Sequence, residues 1–126
     1  MIKKTILAID DSLIVLKQLK SILERNYNFK GASSGLAALK VLDAERIDLV
    51  LLDLEMPIMD GFATLEAMKQ RENMKDVPVV ILTGNSQKQK VIKGITSGVA
   101  GYIVKPVDSE MLLKKLGDIL GEDTFW

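Results

Sequence analysis

The chain has 126 residues, which is enough for one hydrophobic core and too few for two. Lys and Arg together number 17 and are balanced by 17 Asp and Glu, so no overall charge draws the chain to nucleic acid or to a membrane surface. The sequence contains no cysteine and no histidine, which excludes disulfides, thiol nucleophiles, imidazole bases and the metal sites built from those side chains. The first apolar run is too short for a signal peptide or a membrane span, so we expect a cytoplasmic protein.

Short apolar runs alternate with amphipathic stretches along the chain. This alternation is typical of repeated strand–helix units around a parallel sheet. The predicted strands are Thr5–Ile9, Phe29–Ala32, Leu49–Leu52, Val79–Leu82 and Gly101–Val104. The predicted helices begin close to Ser12, Gly35, Gly61, Ser86 and Asp108, and the last of them is expected to stop at Gly121.

Apolar residues at helical spacing predict which face of each helix packs on the sheet. For the second helix, over about Gly35–Ala44, Leu36, Leu39 and Val41 are available for burial. The other helices offer Leu16, Leu19 and Leu23; Phe62, Leu65 and Met68; Val91, Ile92 and Ile95; and Leu112, Leu116, Ile119 and Leu120.

Five strand–helix units are too few to close an eight-stranded barrel, so we expect an open, doubly wound α/β sheet. Right-handed crossovers then place helices on both faces of the sheet. Residues 1–121 are predicted to form one domain and residues 122–126 a short C-terminal tail.

Charged residues follow three of the predicted strands at their carboxyl ends. Asp10 and Asp11 follow the first strand, Asp53 ends the third and Lys105 follows the fifth. Because the carboxyl ends of parallel strands share one edge of a sheet, these side chains are expected to form an acidic pocket with one cation at its rim. Such a pocket suits a hard divalent metal and can present an aspartate to a phosphoryl group.

Four short motifs around these residues resemble the signatures of the receiver domains of two-component response regulators. They are Asp10-Asp11-Ser12, the run from Asp53 to Gly61 with Met56-Pro57 and Asp60-Gly61, Thr83-Gly84, and Lys105-Pro106. Each is weak alone, but the four stand in the family's order at the expected strand ends. The resemblance covers the whole chain and implies a flavodoxin-like (βα)5 fold of the CheY type, with a five-stranded parallel sheet in the order 2-1-3-4-5.

The resemblance implies that Asp53 is the phosphoacceptor and that Mg²⁺ is the cofactor. In the family pattern Asp11, Asp53 and the backbone carbonyl of Glu55 bind the metal directly, and Asp10 acts mainly through a metal-bound water. Without metal the clustered carboxylates repel one another. We therefore expect Asp10→Asn or Asp11→Asn to raise metal-free stability by roughly 1–2 kcal/mol.

The same resemblance gives roles to the residues around the phosphoacceptor. Lys105 and Thr83 are expected to contact the phosphoryl oxygens, and Thr83 and Tyr102 to form a switch in which Tyr102 moves from outward to inward. Glu55 and Asn85 are expected to tune the lifetime of the aspartyl phosphate. Residues expected to be structural at the site are Pro57, Gly61, Gly84 (which leaves room for the phosphodonor) and Pro106, whose bond to Lys105 is a candidate cis peptide.

The implied partner is a histidine kinase or a histidine phosphotransfer protein, with the helix carrying Ile14, Lys17 and Lys20 as the expected contact. The chain is expected to catalyse its own phosphorylation and dephosphorylation but to act primarily in signalling. Its output surface is the predicted helix after Ser86 with the fifth strand and the last helix, through which homodimers can also form. Motility, a phosphorelay and transcription are all open as outputs.

Other acidic α/β families fit less well. Haloacid-dehalogenase phosphatases need Asp-x-Asp after the first strand, but the chain has Asp10-Asp11-Ser12. A metal-dependent adhesion module needs serine where Ile14 stands, and a flavodoxin needs a hydroxyl-rich phosphate loop in place of the two acids. A pseudo-receiver that works without phosphorylation stays open as the alternative.

Overall fold

The computed structural model describes residues 3–54, 56, 61–84 and 98–121. Five parallel strands form one sheet in the order β2-β1-β3-β4-β5, which confirms the predicted topology. The strands are β1 (Thr5–Ile9), β2 (Asn28–Ala32), β3 (Leu49–Asp53), β4 (Val79–Thr83) and β5 (Gly101–Val104). The helices of the described residues are α1 (Leu13–Leu23), α2 (Gly35–Ala44), α3 (Gly61–Lys69) and α4 (Ser109–Leu120), with a short 3₁₀ helix at Glu72–Met74.

The three central strands are apolar on both sides because helices cover both faces of the sheet. Every residue of β3 and β4 is buried. In β1 the side chains alternate: Ile6 and Ala8 belong to the core under α1 and α4, whereas Leu7 and Ile9 belong to the core under α2 and α3. Continuous apolar runs are therefore the expected pattern for these strands.

Side-chain caps fix where α1 and α4 begin, and a glycine fixes where α4 ends. The hydroxyl of Ser12 accepts a hydrogen bond from the Val15 N–H, and the carboxylate of Asp108 accepts one from the Met111 N–H. Gly121 ends α4 with a left-handed φ of 71°, a conformation that glycine adopts without steric cost. The predicted starts at Ser12 and Asp108 and the predicted stop at Gly121 are confirmed.

The prediction for the buried face of α2 was wrong at one position. Leu36 is 60% exposed, because the stripe that packs on the sheet consists of Gly35, Ala38 and Leu42. These residues are separated by three and four positions, so they share one face of the helix. Leu39 and Val41 are partly buried against the core.

The C-terminal ends of α2 and α3 are tied together by polar contacts. The guanidinium of Arg71 donates two hydrogen bonds to Asp43, at 2.8 and 3.1 Å, and the Asn73 amide donates to the Leu42 carbonyl at 2.8 Å. The hydrogen bonds from Arg71 hold the pKa of Asp43 below its usual value. These contacts help to keep α3, which follows the Asp53 strand, in place.

The helix predicted after Ser86 lies outside the described residues. No helix within the described ranges combines the length and the apolar character needed to cross a membrane.

Candidate functional site

Three carboxylates meet at the carboxyl edge of the sheet, where strand order reverses between β1 and β3. Asp10 follows β1 and Asp53 ends β3, and both are buried; Asp11 is exposed. One carboxylate oxygen from each of the three lies within 4.8 Å of the other two. The sequence-based expectation of an acidic cluster at this edge is therefore met by the structure.

Lys105 supplies a cation directly to this cluster. Its Nζ lies 2.7 Å from Asp10 Oδ2 and 3.7 Å from Asp53 Oδ2. The backbone N–H of Lys105 donates to the Thr83 carbonyl at 2.6 Å, so the residue leaves β5 alongside the end of β4. The Lys105–Pro106 peptide bond is cis, as predicted.

Asp10 is held by contacts that the sequence did not predict. Its Oδ1 accepts a hydrogen bond from the Ser12 N–H at 2.9 Å, while Oδ2 accepts one from Lys105. Its own N–H donates to the Ala32 carbonyl at 3.1 Å. Asp10 thus stands at the start of α1 with both carboxylate oxygens engaged, where the positive end of the helix dipole also favours its charge.

Thr83 and Gly84 border the cluster at the end of β4. Thr83 is buried, and its hydroxyl donates to the Gly84 carbonyl at 3.1 Å. A Cβ placed on Gly84 would meet no atom of the described residues within 4 Å. That Gly84 leaves room for a phosphodonor stays a prediction.

Gly61 packs directly against the strand that carries Asp53. A Cβ at this position would come closer than 3.0 Å to Leu54 Cα and to the Asp53 carbonyl oxygen, and the Gly61 N–H donates to the Leu54 carbonyl at 3.1 Å. The close approach of two backbone segments requires glycine here.

Tyr102, the predicted switch residue, faces outward in this structure. Its side chain is 43% exposed, and the ammonium of Lys115 lies 5.9 Å from the ring centroid. A cation at this distance over an aromatic face is weakly attractive. The Lys115 contact therefore favours the outward conformation.

Three predicted site residues, Glu55, Pro57 and Asn85, lie outside the described residues, so their roles stay predictions. The sequence also missed one contributor, the backbone N–H of Ser12. Ser12 was predicted to stand at the start of the first helix, but nothing in the sequence pattern indicated that its N–H would also orient Asp10.

Most of the chain matches a model of a known protein family. The family model described as "Response regulator receiver domain" matches residues 6–117. Among curated proteins, the two-component response regulator ORR22 of Oryza sativa subsp. japonica is 40% identical over 110 residues, which cover 85% of this chain and 15% of ORR22. The transcriptional regulatory protein YdfI of Bacillus subtilis is 39% identical over 110 residues, which cover 85% of this chain and 50% of YdfI. The chain thus spans half or less of the length of these two relatives.

Solved structures of similar fold include the chemotaxis protein CheY4 of Vibrio cholerae. That structure has a TM-score of 0.87 and 30% sequence identity, with 93% of this chain and 98% of CheY4 covered. The receiver domain of the sensor histidine kinase PA1611 from Pseudomonas aeruginosa has a TM-score of 0.86 at 23% identity, covers 95% of this chain and 99% of its own, and holds a magnesium ion in its active site cleft.

Proposed function

This chain belongs to the response regulator receiver domain family of two-component signalling, and from that premise we propose that Asp53 is its phosphoacceptor and that residues 1–121 are the receiver domain. The observation that carries the proposal is the convergence of Asp10, Asp11, Asp53 and Lys105 at one edge of the sheet. A carboxylate attacks phosphorus without needing a general base, which suits a chain without histidine or cysteine.

We propose Mg²⁺ as the cofactor, because the donor set fits it. Carboxylate oxygens are hard ligands, and one from each of three residues lies within 4.8 Å of the others, close enough to share one hexacoordinate ion and its waters. In this proposal Asp11, Asp53 and the Glu55 carbonyl hold the ion directly and Asp10 holds it through water. When bound, Mg²⁺ offsets the negative charge that gathers on the phosphoryl oxygens during transfer.

The surrounding residues position and stabilise the phosphoryl group. The Nζ of Lys105 lies 3.7 Å from Asp53 Oδ2, so the ammonium is placed to contact an oxygen of the phosphoryl group that Asp53 accepts. The Thr83 hydroxyl donates a hydrogen bond to the Gly84 carbonyl in this structure. When the phosphoryl group is present, the hydroxyl turns to donate to another of its oxygens. The inward movement of Thr83 opens space for Tyr102, and the surface that includes β5 and α4 changes shape. Dimerisation through that surface, the downstream target and tuning by Glu55 and Asn85 stay predictions.

Intact mass spectrometry tests the phosphoacceptor directly. Incubation with a small phosphodonor and Mg²⁺ should add one phosphoryl group to the wild type, and Asp53→Asn should abolish the addition, as should EDTA. Asp118→Asn, an exposed aspartate of α4, is the control that should keep it. If the folded wild type gains no mass, the pseudo-receiver alternative is favoured; if Asp53→Asn still gains mass under Mg²⁺, another residue is the acceptor.

A histidine kinase or phosphotransfer protein is the proposed phosphodonor, docking on the start of α1. Leu13 and Ile14 are 65% and 71% exposed and follow Asp10-Asp11-Ser12 in the sequence. We expect Ile14→Ser to slow transfer from a phosphorylated kinase or phosphotransfer partner by about tenfold, because burial of such a side chain is worth about 1.5–3 kcal/mol.

The matched control for Ile14→Ser is Leu36→Ser, since Leu36 is exposed to a similar degree, 60%, but lies on α2. Both variants should accept phosphate from the small phosphodonor at the wild-type rate. If Ile14→Ser and Leu36→Ser accept phosphate at equal rates from every phosphorylated partner in a panel of kinases, the docking surface does not include Ile14.

A further inference from the structure

We propose that the segment that follows α4, residues 122–126, docks on its own chain in the groove between α1 and α4 (the α1/α4 groove). The segment is Glu122-Asp123-Thr124-Phe125-Trp126 and combines two acids with two adjacent aromatic residues. It lies outside the described residues, whereas the groove and the end of α4 are both described.

The α1/α4 groove offers apolar surface to an aromatic ring. Its volume is about 560 Å³, within the range of about 300–1,000 Å³ that holds small organic ligands. Its apolar members, Ile22 of α1 and Leu113 of α4, are packed against the core but only partly buried. An aromatic ring placed on these two side chains removes apolar surface from water on both partners.

The charges of the groove leave one cation available to an acidic segment. Among the described residues that line the groove, Arg25 and Lys114 are basic and Glu110 is acidic. Lys114 already forms an ion pair with Asp118 at 3.8 Å, whereas the structure shows no ion pair of Arg25 within the described residues. Arg25 is therefore placed to attract the carboxylates of the segment.

A second cation lies where the segment begins. The ammonium of Lys4 donates a hydrogen bond to the Leu120 carbonyl at 3.2 Å, at the end of α4. Glu122 and Asp123 follow directly after Gly121. The two acids thus leave α4 beside a positive charge, and the segment carries no basic side chain to oppose it.

The segment is long enough to reach the apolar part of the groove. Leu113 lies eight residues before Gly121, which corresponds to about 12 Å along the helix axis. Five extended residues span at most about 17 Å. Gly121 has a left-handed φ of 71°, a conformation that turns the chain away from the helix axis. Phe125 and Trp126 are therefore within reach of Leu113.

Docking of the segment has a consequence for partners that bind α1. A neighbouring groove, which includes Ile14 and Lys17, shares Ser21 and Ile22 with the α1/α4 groove. An aromatic ring on Ile22 excludes a partner side chain from the shared surface, so the segment competes with a partner that docks beside Ile14. This consequence rests on the proposed function, whereas docking of the segment does not.

Fluorescence of Trp126, the one tryptophan of the chain, tests the docking directly. In the folded chain of 126 residues, its emission should lie at shorter wavelength than in the chain unfolded in urea, because the indole is removed from water. Ile22→Asp should shift the emission to the wavelength of the unfolded chain. Leu36→Asp, which places the same charge at an exposed leucine of α2, should leave it unchanged.

Two results would overturn the docking. One is a folded wild type whose Trp126 emission equals that of the unfolded chain, and the other is a shift to short wavelength that Ile22→Asp leaves in place. The shift should also be independent of protein concentration. If it disappears on dilution, the segment of a second copy occupies the groove, and docking within one chain is refuted.

A charge reversal keeps the test decisive if Ile22→Asp does not fold. Arg25 is exposed, so Arg25→Glu should fold, repel the two acids of the segment and shift Trp126 emission toward that of the unfolded chain. Lys40→Glu makes the same change in net charge at an exposed lysine of α2 and should not shift it. Equal emission from Arg25→Glu and Lys40→Glu would contradict the proposed docking.

Phosphotransfer measures the consequence separately. With a phosphorylated partner whose transfer Ile14→Ser slows, Trp126→Ser should speed transfer by up to about tenfold, the factor for a groove that is open one-tenth of the time. The rate with the small phosphodonor should stay that of the wild type. If Trp126 is shielded in the wild type but Trp126→Ser transfers no faster, the competition is refuted and the docking stands. A wild type that accepts no phosphoryl group refutes the proposed function, and the fluorescence still decides the docking.

Discussion

Replacing Asp10 and Asp11 by asparagine, one at a time, is expected to change metal-free stability in opposite directions. Asp11 is exposed, and its charge adds to the repulsion within the cluster, so Asp11→Asn should raise the free energy of unfolding by about 1 kcal/mol. Asp10 is buried and hydrogen-bonded to Lys105 and Ser12. Removing its charge leaves the ammonium with the more distant Asp53, and stability should fall by about 1–2 kcal/mol.

The sequence alone had treated the two aspartates as equivalent, so the structure changes the expectation for Asp10. Urea unfolding in EDTA measures the metal-free difference, and the same curves at saturating Mg²⁺ measure how much stabilisation by the metal each variant has lost. Both variants should lose part of that stabilisation. If Asp10→Asn is more stable than the wild type without metal, the repulsion between the carboxylates outweighs the Lys105–Asp10 ion pair. Lys105 then contributes less to stability than its 2.7 Å contact with Asp10 indicates.

Most of the fold was predictable because the strands are short, apolar and separated by amphipathic helices. The strand order came from the family resemblance, since apolar runs do not show which strands are neighbours. The error at Leu36 has a physical cause: α2 buries small residues, Gly35 and Ala38, which a search for large apolar side chains passes over. Tertiary packing, and not side-chain size, selected the buried stripe.

The convergence of the acidic cluster with Lys105 was predictable from the sequence, but the pairing of the ammonium with one carboxylate was not. Parallel strand ends bring Asp10, Asp53 and Lys105 to one edge whatever their side-chain conformations. Which carboxylate receives the ammonium depends on differences of about one ångström, 2.7 against 3.7 Å, and these are set by backbone positions that no sequence pattern records. The need for glycine at Gly61 was indicated by the family motif, but its reason, contact with the Leu54 backbone, is visible only in the structure.

Gly61→Ala is expected to lower the free energy of unfolding by about 3 kcal/mol, near the upper end of the range for overpacked sites. The added methyl group would overlap the Leu54 Cα and the Asp53 carbonyl oxygen. These are backbone atoms next to a fully buried strand, so they cannot turn aside as the end of a flexible side chain does. Relief requires α3 to move away from β3, which also stretches the 3.1 Å hydrogen bond from Gly61 to Leu54.

Gly101→Ala is the matched control, because among the described residues a Cβ there meets only the flexible Lys115 side chain, at 3.6 Å. In urea unfolding, Gly101→Ala should show the same denaturant slope as the wild type and a free energy of unfolding within about 0.5 kcal/mol of it. Wild-type stability in Gly61→Ala would mean that α3 has room to move off the strand at no cost. One of the two overlapped atoms is the carbonyl oxygen of Asp53. If the variant is as stable as the wild type, the position of this proposed phosphoacceptor is therefore set by the rest of the acidic cluster and not by the packing of α3.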